Sequence, residues 1–181
     1  MIHRRGLWFD GLLIALAMGL ANVAQAHSAS DAYLTLTVES PSASDPVART
    51  VVHGQWDIAL RDLDFVLKLD ANGDGKISWG ELRRRQQAVS DYAYAHILFM
   101  GDGRACRIEP TRQAVDNHAD GAYAALFFEL ACSGATKRLT LDYSLFFSID
   151  PSHRGILVLR SGEKVATAVL SPANTKLDLG L

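Results

Sequence analysis

The chain has 181 residues, of which 49% are hydrophobic, and its 18 Lys and Arg against 20 Asp and Glu give a formal net charge of −2. This charge balance excludes the broad basic surface that nucleic-acid-binding proteins present. The length suits a single domain with a substantial core.

The N-terminus predicts an export signal. Two arginines precede the apolar run 11–24, and Ala24 and Ala26 are the small residues that signal peptidase recognises. We predict a signal peptide over residues 1–26 and a periplasmic or secreted mature protein. An uncleaved anchor is the alternative, but the run is shorter than the ~20 apolar residues of a spanning helix. No later stretch is apolar enough to span a membrane.

Strand patterns dominate the predicted mature domain, residues 27–172. Most segments are rich in β-branched and aromatic residues, and several alternate apolar with polar side chains, as Leu139, Leu141 and Tyr143 do. We predict an α+β fold, an antiparallel β-sandwich of about eight strands. A helix-loop-helix insertion at about residues 59–95 interrupts it.

Two segments are predicted to lie outside regular structure. Residues 40–49 are rich in Ser and Pro, which predicts a flexible loop between the first two strands. Residues 173–181 are predicted to form a loose C-terminal tail.

The twelve residues 70–81, DANGDGKISWGE, have the spacing of an EF-hand calcium loop. Oxygen-bearing side chains stand at loop positions 1, 3, 5, 9 and 12, with glycine at 6 and isoleucine at 8. Together they offer about seven oxygens, which suits calcium better than octahedral magnesium. The alternative is an Asp/Gly-rich turn that binds no metal. The predicted calcium ligands are side-chain oxygens of Asp70, Asn72, Asp74, Ser78 and Glu81 and the carbonyl of Lys76.

Helical patterns flank the loop. Phe65, Val66 and Leu69 stand at helical spacing before it, which predicts one packing face on the incoming helix. After it, Leu82 and Val89 supply an apolar stripe on the outgoing helix.

The loop is expected to work alone, because the sequence has no second DxDxDG segment. In paired loops the position-8 residues make a short β contact, so Ile77 is here expected to pack on the sheets instead. Arg85 and Gln86 occupy positions of the outgoing helix that are usually apolar in calcium-binding pairs.

The two cysteines, Cys106 and Cys132, are predicted to form a disulfide, since an isolated pair in an exported protein is more often bridged than free. A bridge of this span is worth about 3–4 kcal/mol in the chain-entropy model. Two buried thiols are the alternative.

Copper handling is the alternative function. Signal-peptide removal would make His27 the first residue, and an N-terminal histidine binds copper through its amine and its ring. A second ligand would have to come from His53, His118 or His153. His118 and His153 lie in turn-like segments and are predicted to be on the surface.

Four segments resemble the exported N-terminal domain of bacterial HupE/UreJ-like membrane proteins and its stand-alone relatives. They are AHSASDAYLTL, the run from Gly54 to Leu82, DGAYAALFFEL and LDYSLFFSIDPSHRGIL. The resemblance implies a periplasmic calcium-loop module with the six ligands named above and no known reaction. Sequence motifs of hydrolases, zinc proteases and phosphate-binding loops are missing. We therefore expect a non-enzymatic module, stabilised by one calcium ion, with a periplasmic or membrane protein as partner.

Overall fold

The computed structural model describes residues 30–39 and 50–181. The predicted signal peptide, His27 and the predicted loop 40–49 lie outside the described residues.

The described residues form ten strands and two helices. In chain order they are β1 (Asp31–Glu39), β2 (Val51–Ala59), α1 (Leu60–Leu67), α2 (Trp79–Tyr94), β3 (Ile97–Gly101), β4 (Arg104–Ala105), β5 (Arg107–His118), β6 (Gly121–Ala131), β7 (Arg138–Tyr143), β8 (Arg154–Ser161), β9 (Lys164–Leu170) and β10 (Lys176–Gly180).

The strands build two sheets, a six-stranded one in the order β5-β6-β2-β1-β8-β9 and a four-stranded one in the order β10-β7-β3-β4. The α+β class is therefore correct, but the expected strand count of about eight was too low. The sheets are also not wholly antiparallel, because β1 pairs with β8 in parallel and Leu34 lies opposite Leu157. Parallel neighbours need a long crossover, which the intervening strands and helices provide.

The predicted C-terminal tail is wrong over most of its length. Residues Lys176–Gly180 form strand β10, which pairs antiparallel with β7. Leu179 lies opposite Leu139 and is buried, because alternate residues of the short strand face the core.

The buried faces of the two sheets contribute to one hydrophobic cluster. Trp56 of the large sheet lies with its ring centroid 5.6 Å from that of Tyr143 of the small sheet. Phe128 and Phe99 make a similar contact at 5.9 Å. Aromatic rings at this separation bury large apolar areas and add favourable edge contacts.

Both helices pack on this cluster through a few apolar residues. Leu63 of α1, Leu69 after it, and Leu82 and Val89 of α2 are buried in it. The predicted packing face of α1 was partly wrong, because Phe65 is 67% exposed. The buried stripe of α1 runs through Leu60 and Leu63 instead, on a different side of the helix.

The predicted disulfide is confirmed. Cys106, just before β5, is bonded to Cys132, just after β6, and the two Cα atoms are 4.3 Å apart. The bridge joins the ends of two paired strands, so it closes a loop already held by the sheet. Disulfides are typical of oxidising compartments. Within residues 30–39 and 50–181, neither helix has the length and hydropathy that crossing a membrane requires.

Gly54 predicts a stability effect at the centre of the large sheet. It lies opposite Phe128, and a Cβ at residue 54 would be 2.2 Å from the Phe128 ring. We expect Gly54→Ala to lower the free energy of unfolding by about 1–3 kcal/mol, because the ring has to leave its packed position. Urea denaturation measures the change.

Gly180→Ala is the matched control, because a Cβ at residue 180 of β10 has nothing within 4 Å. Its free energy of unfolding is expected to stay within about 0.5 kcal/mol of the parent value. Equal losses in the two variants would contradict the packing argument.

Candidate metal centre

The turn between α1 and α2 begins with a defined helix end. Lys68 caps α1 in the left-handed conformation at φ 52°, and its N–H donates to the carbonyl of Asp64. The backbone N–H of Asp70 then donates to Asp64 Oδ1 at 2.9 Å. These two bonds fix the direction in which the chain leaves the helix and enters the loop.

The Asp70 carboxylate organises the first half of the loop. Its Oδ1 accepts the backbone N–H groups of Gly73 at 2.8 Å and Asp74 at 3.3 Å. Its Oδ2 accepts the N–H of Gly75 at 2.8 Å. Gly73 and Gly75 have φ values of 71° and 79°, which favour glycine. The backbone therefore curls around one carboxylate.

Asn72 and Asp74 continue this curl. Asn72 Oδ1 accepts the N–H of Asp74 at 3.0 Å, and Asp74 Oδ1 accepts the N–H of Lys76 at 2.9 Å. The Asn72 amide also donates to Asp74 Oδ2 at 3.0 Å. Such local bonds hold short polar side chains close to the backbone of their own turn.

Glu81 joins the two ends of the loop. Its Oε1 accepts the N–H of Ala71 at 3.0 Å, and its Oε2 accepts the N–H and the hydroxyl of Ser78 at 2.9 and 2.7 Å. Ser78 in turn caps α2, so the pair forms a capping box. The bond from the Ser78 hydroxyl, with the backbone bonds, lowers the pKa of Glu81 to about 2. Glu81 is thus an ionised carboxylate although it is only 3% exposed.

The loop oxygens form a hard donor set. Carboxylate and amide oxygens from residues 70, 72, 74 and 81 all turn toward the loop backbone, and each oxygen that accepts one N–H retains a second lone pair. Such oxygens fit a calcium ion. Within residues 30–39 and 50–181, the carboxylates of Asp70, Asp74 and Glu81 are not gathered within 4.8 Å of one another.

Two contacts hold the loop on the domain. Ile77 is half-buried and packs against the hydrophobic core, as predicted for a loop without a second loop beside it. Arg85 donates from Nη2 to the carbonyl of Leu67, the last residue of α1, at 2.6 Å. Arg85, at a position expected to be apolar, therefore links α2 to the end of α1.

His153, predicted to be on the surface, is fully buried instead. Its Nε2 lies 2.8 Å from the Tyr143 hydroxyl and its Nδ1 lies 2.7 Å from Ser30 Oγ. Ser30 also donates to Asp62 Oδ2 at 2.9 Å. The sequence suggested a solvated turn, but both ring nitrogens have protein partners, so His153 is not available to copper.

The Ser30 hydroxyl lies between His153 Nδ1 and Asp62 Oδ2 in one hydrogen-bonded chain. Ser30, Asp62 and Asp150 also line a cleft of about 380 Å³, together with Phe65 and Ile149.

The other two histidines considered as copper ligands, His53 and His118, differ in the arrangement of the carboxylates around them. His53 has Glu39 at Nε2 and Glu129 at Nδ1, so its two carboxylates lie at different ring nitrogens. His118, predicted on the surface, is partly covered and lies with Asp57 and Asp116 in a group whose ligand atoms are all within 4.8 Å. The sequence interpretation missed Asp57 and Asp116, because they lie on different strands and no local spacing links them.

Neither a protein-family model nor a curated protein matches the chain. The functional interpretation therefore rests on the residues and geometry described above.

Burial of His153 predicts a pH effect on stability. Desolvation lowers its pKa to about 4, below the ordinary value near 6.5. The unfolded chain therefore binds more protons than the folded one between these values, so stability is complete above pH 6.5 and falls as the pH drops. We expect a loss of about 2 kcal/mol between pH 6.5 and 5. Urea denaturation across this range measures the loss.

His153→Gln should remove this component, giving a flatter pH dependence on a lower baseline. Glu81 does not contribute in this window, since a lowered carboxylate pKa makes stability fall below pH 4.5. A parent slope that persists in His153→Gln would contradict the assignment.

Proposed function

We propose that the protein is an exported calcium-binding module in which a single EF-hand-like loop takes one Ca²⁺ and no reaction is catalysed. The observation that carries the proposal is that hydrogen bonds to two carboxylates join the two ends of loop 70–81. The Asp70 carboxylate gathers the backbone of the first half, and the Glu81 carboxylate bonds back to Ala71 from the start of α2. Asp70 and Glu81, at the first and last ligand positions, therefore both accept hydrogen bonds from the backbone of the same loop.

The donor set favours calcium by number and by charge. Asp70, Asn72 and Asp74 each contribute one side-chain oxygen, and Glu81 contributes two. The carbonyl of Lys76 and the hydroxyl of Ser78, the latter directly or through water, bring the total to about seven, within the six to eight oxygens of calcium sites. Three of these residues are acidic, which neutralises the ion with one negative charge left over.

Repulsion between the loop carboxylates in the absence of a metal ion also supports the proposal. Asp70, Asp74 and Glu81 carry like charges on one short loop, and like charges repel even when water screens them. A divalent cation removes that repulsion. Extracellular calcium loops bind at ~10⁻⁴ to 10⁻³ M, so millimolar calcium adds about 1–2 kcal/mol of folding stability by mass action. This size suits a structural ion.

Two further features support an exported binding module. The predicted signal peptide and the Cys106–Cys132 bridge both suit an oxidising compartment outside the cytoplasm. The resemblance to the exported domain of HupE/UreJ-like proteins supports the same location, with a periplasmic or membrane protein as the partner. The β-sandwich with an EF-hand-like insertion is the fold that accompanies this proposal.

Glu81→Gln is expected to abolish calcium-dependent thermal stabilisation. Glutamine retains the capping contacts to Ser78, because Gln serves at this helix position as Glu does, but it loses the charge and the bidentate carboxylate. The parent should gain about 1–2 kcal/mol of stability on addition of millimolar calcium, and the variant almost none. Thermal unfolding with calcium and with a chelator measures both.

Glu163→Gln is the matched control, since Glu163 lies between β8 and β9, outside the loop. It should keep the full calcium response. A calcium response that survives in Glu81→Gln, or one that is missing from the parent, would end the proposal.

Trp79 offers an independent optical test. It stands inside the loop at position 10 and is 52% exposed, whereas Trp56 is fully buried in the core. We expect calcium to change the emission of the parent and of Trp56→Phe, and to leave Trp79→Phe without a response, because ordering of the loop alters the surroundings of Trp79 alone. A response that follows Trp56 would contradict a binding event confined to the loop.

A further inference from the structure

A second group of metal-ligating side chains lies on the large sheet. Asp57 is on β2, and Asp116 and His118 are near the end of β5, with β6 between the two strands. Their ligand atoms, one oxygen from each aspartate and one ring nitrogen, all lie within 4.8 Å of one another. None of these residues belongs to the calcium loop.

The sheet register explains why side chains two strands apart meet. On β6, Ala125 lies directly opposite Asp57 on one side and Ala114 of β5 on the other. Strands two places apart are about 9.5 Å from each other, so only a small residue between them lets longer side chains converge. Asp116 and His118 follow Ala114 on the same face of β5, opposite Tyr123 and Gly121 of β6.

The distance between two of the ligand atoms matches a metal's coordination shell. His118 Nε2 lies 3.4 Å from Asp57 Oδ2. Nitrogen and oxygen ligands bound to zinc at 2.0–2.2 Å and separated by a tetrahedral angle are about 3.3–3.4 Å apart. The two atoms are therefore already spaced as neighbours around one such ion.

Neighbouring side chains hold the ligands in place. The Gln55 amide donates to both oxygens of Asp57, at 3.0 and 3.1 Å. The His118 ring stacks on Tyr33 at 5.0 Å and packs against Tyr123 at 4.1 Å between ring centroids. At metal sites, supporting contacts of this kind fix the position of the carboxylate and the plane of the imidazole ring.

The charge of the group favours a cation. Asp57 is only 7% exposed, and Asp116 and His118 offer ligand atoms within 4.8 Å of its carboxylate. The ion-pair partner of Asp57 at this site is His118, whose Nε2 is a metal ligand in its neutral form. A buried carboxylate beside a second carboxylate is costly unless a positive charge compensates it.

We propose that Asp57, Asp116 and His118 bind a divalent transition-metal ion, with zinc as its representative, at a site separate from the calcium loop. The imidazole nitrogen selects this class over calcium and magnesium, which take oxygen ligands only. Three protein ligands leave one tetrahedral position for water or for a ligand atom from a partner molecule.

Zinc titration by calorimetry tests the site. The purified protein carries His27→Ala, which removes the terminal histidine as a competing ligand, and is kept in saturating calcium so that the loop is filled. One equivalent of zinc is expected to bind. His118→Gln and Asp116→Asn should each weaken that binding at least about tenfold. Asp116 is exposed, so its replacement leaves the core untouched.

His53→Gln is the matched control, because His53 also contacts two carboxylates but through different ring nitrogens. It should bind zinc as the parent does. A second measurement follows the ring nitrogens by NMR, where zinc should shift the His118 resonances and leave those of His53 unchanged.

Three results would overturn the proposal: no zinc binding by the parent, parent-like binding in both His118→Gln and Asp116→Asn, or an equal loss in His53→Gln. The first two would mean that His118 and Asp57 form only an ion pair. The calcium proposal is judged separately, since Glu81→Gln changes the calcium response and should leave zinc binding intact.

Discussion

The carboxylate of Glu81 is the contact on which the loop geometry depends. It starts α2 by accepting from Ser78, and it reaches across the loop to the N–H of Ala71. One ionised group therefore fixes a helix end, the width of the loop and the position of the last predicted metal ligand. Hydrogen bonds to a charged acceptor are stronger than those between neutral groups, so this contact dominates the local geometry.

The carboxylates of the loop and those of the sheet have different hydrogen-bond partners. In the loop, half-buried Asp70 and exposed Asp74 accept hydrogen bonds from backbone N–H groups. On the sheet, Asp57 has only the Gln55 amide and His118 beside it, and burial disfavours its charge. The proposed calcium ion would therefore meet carboxylates that already have backbone donors, whereas the proposed zinc ion would meet a buried carboxylate with fewer donors.

Local patterns in the sequence predicted local structure well. The helical patterns before and after residues 70–81 predicted the two helices, and the cysteine pair predicted the disulfide. Strand β10 was missed as an element, and the other main failures concerned long-range contacts. Strand β8 joins β1 in parallel, and His153 is carried into the core between Tyr143 and Ser30. Single-sequence patterns give the type of an element, but they do not say which distant element it will contact.

The parallel pairing of β1 with β8 also bears on how the chain reaches its native state. Strand β1 sits inside the large sheet, with β2 on one side and β8 on the other, and β8 begins only at Arg154. A chain emerging N-terminus first therefore keeps one edge of β1 open until β8, in the last sixth of the chain, has appeared. Exposed strand edges attract other chains, and distant pairings form slowly. Completion of the large sheet is thus a late folding event.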